Sequence, residues 1–175
     1  MKQRTKCGEL LVNARWFTNE NRVVAPRDNR DKPPNLLVGR LIRARGLPVA
    51  DKRVFGKQNE GTSDPFVTLT VGADSFTGAV VPSSLQPYWD EAFSLPVHAC
   101  EAETAKLKIL CEDWDDLSAN DFLVSAEMAL APLLEQRGQP WRDWIQLRPG
   151  GSRGEVELEL QWIYEPEAAL LDAFE

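Results

Sequence analysis

The sequence holds little of what most metal and redox sites are built from. It has one histidine, His98, and three cysteines, Cys7, Cys100 and Cys111, with no C-x-x-C pair among its 175 residues. A zinc site takes about four such ligands and has almost nothing to draw on here. Three cysteines cannot all pair within the chain, and an odd, widely spaced set fits a reducing compartment. Cys111 lies in an apolar alternation and is expected to be a small buried hydrophobe. Long apolar runs are missing too. The longest, 128–134, falls far below the ~20 residues that cross a bilayer as a helix. Residues 1–9 are charged and lack the apolar stretch of a signal peptide. The expectation is a soluble, cytoplasmic protein.

Positive charge is the minority: Lys and Arg number 20 against 27 Asp and Glu, a net charge of -7. Broad nucleic-acid binding needs clustered positive charge to replace counterions, so no nucleic-acid partner is expected. No Gly-rich phosphate loop appears. His98 stands at the end of a strand-like segment with no Ser or Cys nucleophile motif nearby, so no catalytic residues are assigned and the chain is not read as an enzyme. What remains is ordinary globular material, 43% hydrophobic and 27% charged. A chain of this length buries ~70% of its unfolded surface and folds as one domain without staples.

Along the chain, residues 8–17 are strand-like. Residues 18–35 are polar, carry no helical period and end in Pro33-Pro34, the mark of a linker or long surface loop. From Leu36 onward, short strand candidates recur at 36–44, 66–71, 93–97, 107–112, 122–128, 144–147 and 156–164, separated by turn residues. Many short strands at this spacing predict an antiparallel sandwich or barrel. Residues 156–163 alternate apolar and polar almost strictly, which predicts one buried face. Short helices are expected at 131–137 and in the tail, 166–175. The division is therefore 1–35, a strand plus linker; 36–165, the folded domain; and 166–175, a tail. Residues 8–17 also echo 154–163: Gly-Glu, a run of strand residues, then Trp and an apolar residue. Coincidence, an extra first strand, and the last strand of a preceding repeat all remain open.

The most informative stretch is 112–121. It holds Glu112, Asp113, Asp115, Asp116 and Asp121 and no base. It joins two strand candidates, so it gathers carboxylates at one end of the fold. Two carboxylates ~4 Å apart repel by ~1 kcal/mol in bulk water and by ~4 at an effective dielectric of 20. A cation relieves that cost. Hard oxygen ligands in irregular geometry suit Ca2+ better than Mg2+, and the spacing is not that of an EF-hand. A solvated acidic turn is the alternative for this loop taken alone.

Two further segments change that balance. Gly46-Leu47-Pro48-Val49-Ala50-Asp51 precedes Gly61-Thr62-Ser63-Asp64-Pro65-Phe66-Val67, and Leu85-Gln86-Pro87-Tyr88-Trp89-Asp90-Glu91-Ala92-Phe93 lies between them and the acidic loop. Together with Asp113, Asp115 and Asp121, this order resembles the C2 domain family. Its first calcium loop runs Leu-Pro-x-x-Asp, a spacer, then Gly-x-Ser-Asp-Pro-Tyr-Val. Its third runs Asp-x-Asp, five residues, then Asp. The resemblance covers about three quarters of the chain. It implies an all-β fold, an antiparallel eight-stranded Greek-key β-sandwich. It implies two or three Ca2+ ions held by Asp51, Asp64, Asp113, Asp115 and Asp121, and an anionic phospholipid membrane as partner, in membrane trafficking, tethering or signalling. The domain would be peripheral on membranes when calcium is bound. Val54, Phe55 and Leu117 would be the apolar loop tips that touch the membrane, while Trp114 would pack against the sandwich.

The chain departs from the family pattern in three places. The spacer between Asp51 and Asp64 is long. Val124 stands where the family usually has Gly, which predicts a different shape at the end of that loop. Residues 74–83 hold no Lys or Arg, where some family members carry a lysine-rich phosphoinositide site. These departures keep a second function in view, a calcium-independent protein-interaction scaffold with protein partners.

Overall fold

The structure is a computed structural model that describes residues 32–49, 62–98, 101–115, 119–136, 138–148 and 154–166. Its elements are β1 (Leu36–Arg45), β2 (Pro65–Val71), β3 (Asp74–Thr77), β4 (Tyr88–Pro96), β5 (Lys106–Asp113), β6 (Asp121–Ala129), α1 (Ala131–Leu134), β7 (Trp141–Leu147) and β8 (Gly154–Ile163). They form two four-stranded sheets, in the orders β4-β1-β8-β7 and β3-β2-β5-β6. All pairings between these strands are antiparallel. The expected eight-stranded antiparallel sandwich is what the chain forms.

Alternation explains most of it. In β8, Val156, Leu158, Leu160 and Trp162 point inward and are buried, while Glu155, Glu159 and Gln161 are less covered. Leu37 and Leu41 of β1 meet Val67, Leu69, Leu107 and Ile109 from the other sheet in one core cluster. Each such side chain contributes about 1.5–3 kcal/mol through burial. β8 sits between β1 and β7, so without it the first sheet would be divided.

Alternation breaks at two bulges. In β1 the register shifts between Leu41 and Arg43, and Leu41 and Ile42 are both buried. In β6 it shifts between the partners of Cys111 and Glu112, and Leu123 and Val124 are both buried. A bulge lets two consecutive side chains face one way. Val124 is thus accommodated inward, opposite Cys111.

Several boundaries differ from the sequence expectation. β3 was not among the predicted strands; it is four residues long and mostly exposed, so it shows no apolar period. β4 begins at Tyr88 and β7 at Trp141, each earlier than predicted. The helix predicted at 131–137 is the single turn Ala131–Leu134, with a proline at its start. Asn35, expected in the linker, is buried. Its side chain donates to Glu165 O at 2.9 Å and accepts from Glu165 N at 2.7 Å, which clips the start of β1 to the end of β8. The predicted strand 8–17 and the tail beyond 166 lie outside the described residues.

The outer face of the β1/β8/β7 sheet is bound by charge. Glu157 is nearly covered and accepts from Arg43 Nε at 2.7 Å and Arg142 Nε at 2.8 Å. Partial burial opposes ionisation of Glu157, but these two guanidinium groups outweigh it and hold the carboxyl below its ordinary 4.5. A lowered folded-state pKa contributes stability at neutral pH that is lost as pH falls through that value. Glu157→Gln should therefore lower stability by about 1–2 kcal/mol at neutral pH. The difference in melting temperature between variant and wild type should close as pH is taken below 4.5. A pH-independent difference would contradict the assignment.

Candidate functional site

The end of β1 and start of β2, the end of β3 and start of β4, the end of β5 and start of β6, and the end of β7 and start of β8 lie at one end of the sandwich. The connections 46–64, 78–87, 114–120 and 148–153 therefore each leave and re-enter the sheets there. Register then brings the acids together. Pro65 of β2 pairs with Asp113 of β5, and Asp113 pairs with Asp121 of β6. Asp64 directly precedes β2 and Asp115 closely follows β5. Four of the five predicted calcium ligands, Asp64, Asp113, Asp115 and Asp121, thus sit at the same end, on or beside three neighbouring strands. The fifth, Asp51, lies outside the described residues, as do Val54, Phe55 and Leu117.

Backbone contacts knit this end. Asp113 is only 3% exposed, and its carboxylate accepts the amide of Asp64. The Trp114 amide donates to Asp64 O at 3.0 Å. Asp64 Oδ1 accepts the amide of Ser83 at 2.7 Å. Ser63 Oγ donates to Pro48 O at 3.1 Å, and the Ser84 amide donates to Ser63 O at 2.8 Å. The Asp115 amide donates to Asn120 Oδ1 at 3.3 Å, which closes the base of the third connection. Residues 63–64 are therefore the point where the three connections 46–64, 78–87 and 114–120 meet.

The chemistry of this donor set is hard oxygen, mostly carboxylate, which fits Ca2+. Among the described residues alone, no three acidic, imidazole or thiol groups lie close enough to hold a metal ion. Cys111, beneath the site, contributes no thiolate. Burial first, then the charges of Asp113 and Glu112, pushes its thiol up to about 12.

Sequence reasoning missed two exposed aromatic side chains at this end, Trp114 and Phe122. Trp114 was expected to be packed. It touches Phe66 edge-on at 6.2 Å yet remains 46% exposed. Phe122, not singled out in the sequence, is 52% exposed. The large exposed hydrophobics among the described residues are Val49, Val80, Tyr88, Trp114 and Phe122, and every one lies in or beside the connections at the acidic end. The usable signal was an aromatic on each side of the acidic loop. What hid Phe122 was the bulge, which decides the face it takes.

The neighbouring outer face of the β3-β2-β5-β6 sheet carries a shallow concavity of about 420 Å³ lined by Thr68, Thr70, Lys108, Leu110, Ser125 and Glu127, among others. β3 itself bears no Lys or Arg, as expected from the sequence. His98 follows β4 at the opposite end from the acids.

A two-sheet sandwich of this connectivity with an acidic end is the architecture of a C2 domain. The C2 domain family model matches residues 35–147, and the chain belongs to that family. It is similar to extended synaptotagmin-1 of Rattus norvegicus, 30% identical over 141 residues, which is 80% of this chain and 12% of that protein. It is also similar to RasGAP-activating-like protein 1 of Homo sapiens, 27% identical over 133 residues, 71% of this chain and 16% of the relative. The chain thus spans only a small part of these relatives. Among solved structures it resembles the calcium-bound pair of C2 domains from Extended-Synaptotagmin 2, with a TM-score of 0.64 and 28% identity over 74% of this chain and 46% of that one. The match to a single C2 domain of plant Extended Synaptotagmin 1, at 23% identity and a TM-score of 0.62 over 77% of this chain and 98% of that one, shows the shared fold.

Proposed function

We propose that this domain binds anionic phospholipid membranes in a calcium-dependent manner through its acidic end. The carrying observation is the convergence of Asp64, Asp113, Asp115 and Asp121 at one end of the sandwich, with Asp51 as the fifth ligand. Two or three Ca2+ ions would be held there. Without them this end is repelled by a leaflet at about -30 mV. Two ions add four positive charges and cancel most of the cluster, and lipid phosphate or carboxylate oxygens complete their coordination. Calcium and lipid then bind with positive coupling. The domain would be cytoplasmic, peripheral on membranes when loaded, non-enzymatic, and active in trafficking, tethering or signalling. The family membership and a relative solved with calcium bound support this reading.

Val54, Phe55 and Leu117 are the loop-tip contacts in this proposal, and the exposed Trp114 and Phe122 join them. Trp favours the membrane–water interface, and Phe serves on the apolar side of membrane-surface segments. Burying the open halves of two such rings is worth about 1–2 kcal/mol. Trp114→Ala with Phe122→Ala should therefore weaken calcium-dependent liposome binding by about tenfold and leave calcium binding in solution intact. Vesicle flotation and calorimetry would check this. Equal flotation of variant and wild type would remove these two residues from the contact.

That no three acidic, imidazole or thiol groups among the described residues lie close enough to hold a metal ion favours a second reading, a calcium-independent protein-interaction module. Calorimetry on the wild type, with and without phosphatidylserine liposomes, separates the two. Binding tightened by liposomes supports the membrane reading, and no binding at millimolar calcium supports the scaffold.

A further inference from the structure

We propose that the connection 78–87 is a working part of the calcium site, although it supplies no ligand: Ser83 positions Asp64. The inference rests on the membrane reading above and names a control point for it.

Residues 81–85 run along the approach to β2. The Val81 amide donates to Pro65 O at 3.0 Å, the Ser84 amide to Ser63 O at 2.8 Å, and the Leu47 amide to Leu85 O at 3.3 Å. Between these anchors Ser83 turns into the left-handed region, with φ 55°. That conformation is disfavoured for any residue with a side chain. In it, the Ser83 amide meets Asp64 Oδ1 at 2.7 Å. The same Asp64 gives its own amide to the Asp113 carboxylate and receives the Trp114 amide on its carbonyl. Asp64 is thus held from both sides, by β5 through its backbone and by the connection 78–87 through its carboxylate.

An ionised carboxylate has about four acceptor positions, and one amide occupies one of them. The remaining positions stay available to a cation. A ligand ordered during folding need not be ordered on binding. Hydrogen-bond partners of ligating carboxylates are commonly worth ~10–100-fold in metal affinity. Because coupling is reciprocal, calcium on Asp64 should in turn steady the Ser83 turn.

The test uses two substitutions at one position. Ser83→Gly keeps the amide and accepts a positive φ, so calcium affinity should be unchanged and the melting temperature equal or slightly higher. Ser83→Val places a β-branched residue where φ is 55°, which displaces the turn and its amide. Calcium affinity by calorimetry should fall about tenfold or more. A metal-free readout accompanies it: the Ser83 amide should be protected from hydrogen exchange in the wild type, lose protection in Asp64→Ala and keep it in Asp64→Asn. Equal calcium affinity for folded Ser83→Val and Ser83→Gly overturns the inference, as does an unprotected Ser83 amide in the wild type. If Ser83→Val does not fold, the exchange series carries the test. Failure of the wild type itself to bind calcium removes the membrane reading and the role of Ser83 with it. That outcome is distinct, because it is seen before any substitution is made.

Discussion

Asp113→Asn combined with Asp115→Asn should bind calcium about a hundredfold or more weakly than the wild type while remaining folded. Asp113 is buried, and its oxygen accepts the Asp64 amide that anchors the start of β2. Asn presents a carbonyl oxygen of the same shape to that amide, so the backbone contact survives. The negative charge does not. At an effective dielectric of 20, unit charges ~4 Å apart attract by ~4 kcal/mol. Losing even a third of that at each of two ligands amounts to about a hundredfold. Calorimetry measures the loss and the melting curve confirms the fold. Wild-type affinity in the double variant would exclude these two residues as ligands. Asp113→Ala would be the poorer probe, since it also strands the Asp64 amide.

Gly39→Ala should lower stability by about 3 kcal/mol, a fall in melting temperature of roughly 10 °C for a domain of this size. Gly39 lies in β1 between Phe93 of β4 and Leu160 of β8. A methyl group there would overlap the backbone oxygen of Glu159 and come within 2.7 Å of the Phe93 ring and 3.1 Å of Leu160. The ring is not free to withdraw, because it stacks on Phe76 of the facing sheet with centroids 5.4 Å apart. The strand oxygen is fixed by the β1–β8 pairing. Adding Phe93→Leu should recover part of the loss, since it clears the ring but not the Glu159 oxygen. Full recovery would mean that the ring alone sets the constraint. No loss at all in Gly39→Ala would mean that β1 and β8 can move apart.

Much of the architecture was legible because it is local. The alternation of Val156, Leu158, Leu160 and Trp162 marks a strand with one buried face wherever it is placed. The acids of 112–121 and the Ser-Asp-Pro at 63–65 mark the ends of strands because carboxylates and proline are poor strand interiors. β3 was not legible, since its four residues lie at a sheet edge and show no apolar period. The exposure of Phe122 was not legible either. It depends on the bulge at Leu123 and Val124, and only pairing with β5 defines a bulge.

A sandwich of short strands, with the acids of 112–121 around a connection between two of them, is already written in the sequence, because side-chain period and turn chemistry act over a few residues. Tertiary structure decided which turns meet. Asp113 reaches Asp64 across 49 residues, and Ser83 reaches Asp64 across 19, contacts that no local pattern encodes. They arise because burying the faces of both sheets together fixes the strand order, and the strand order places residues 63–64, 83 and 113–115 at one end.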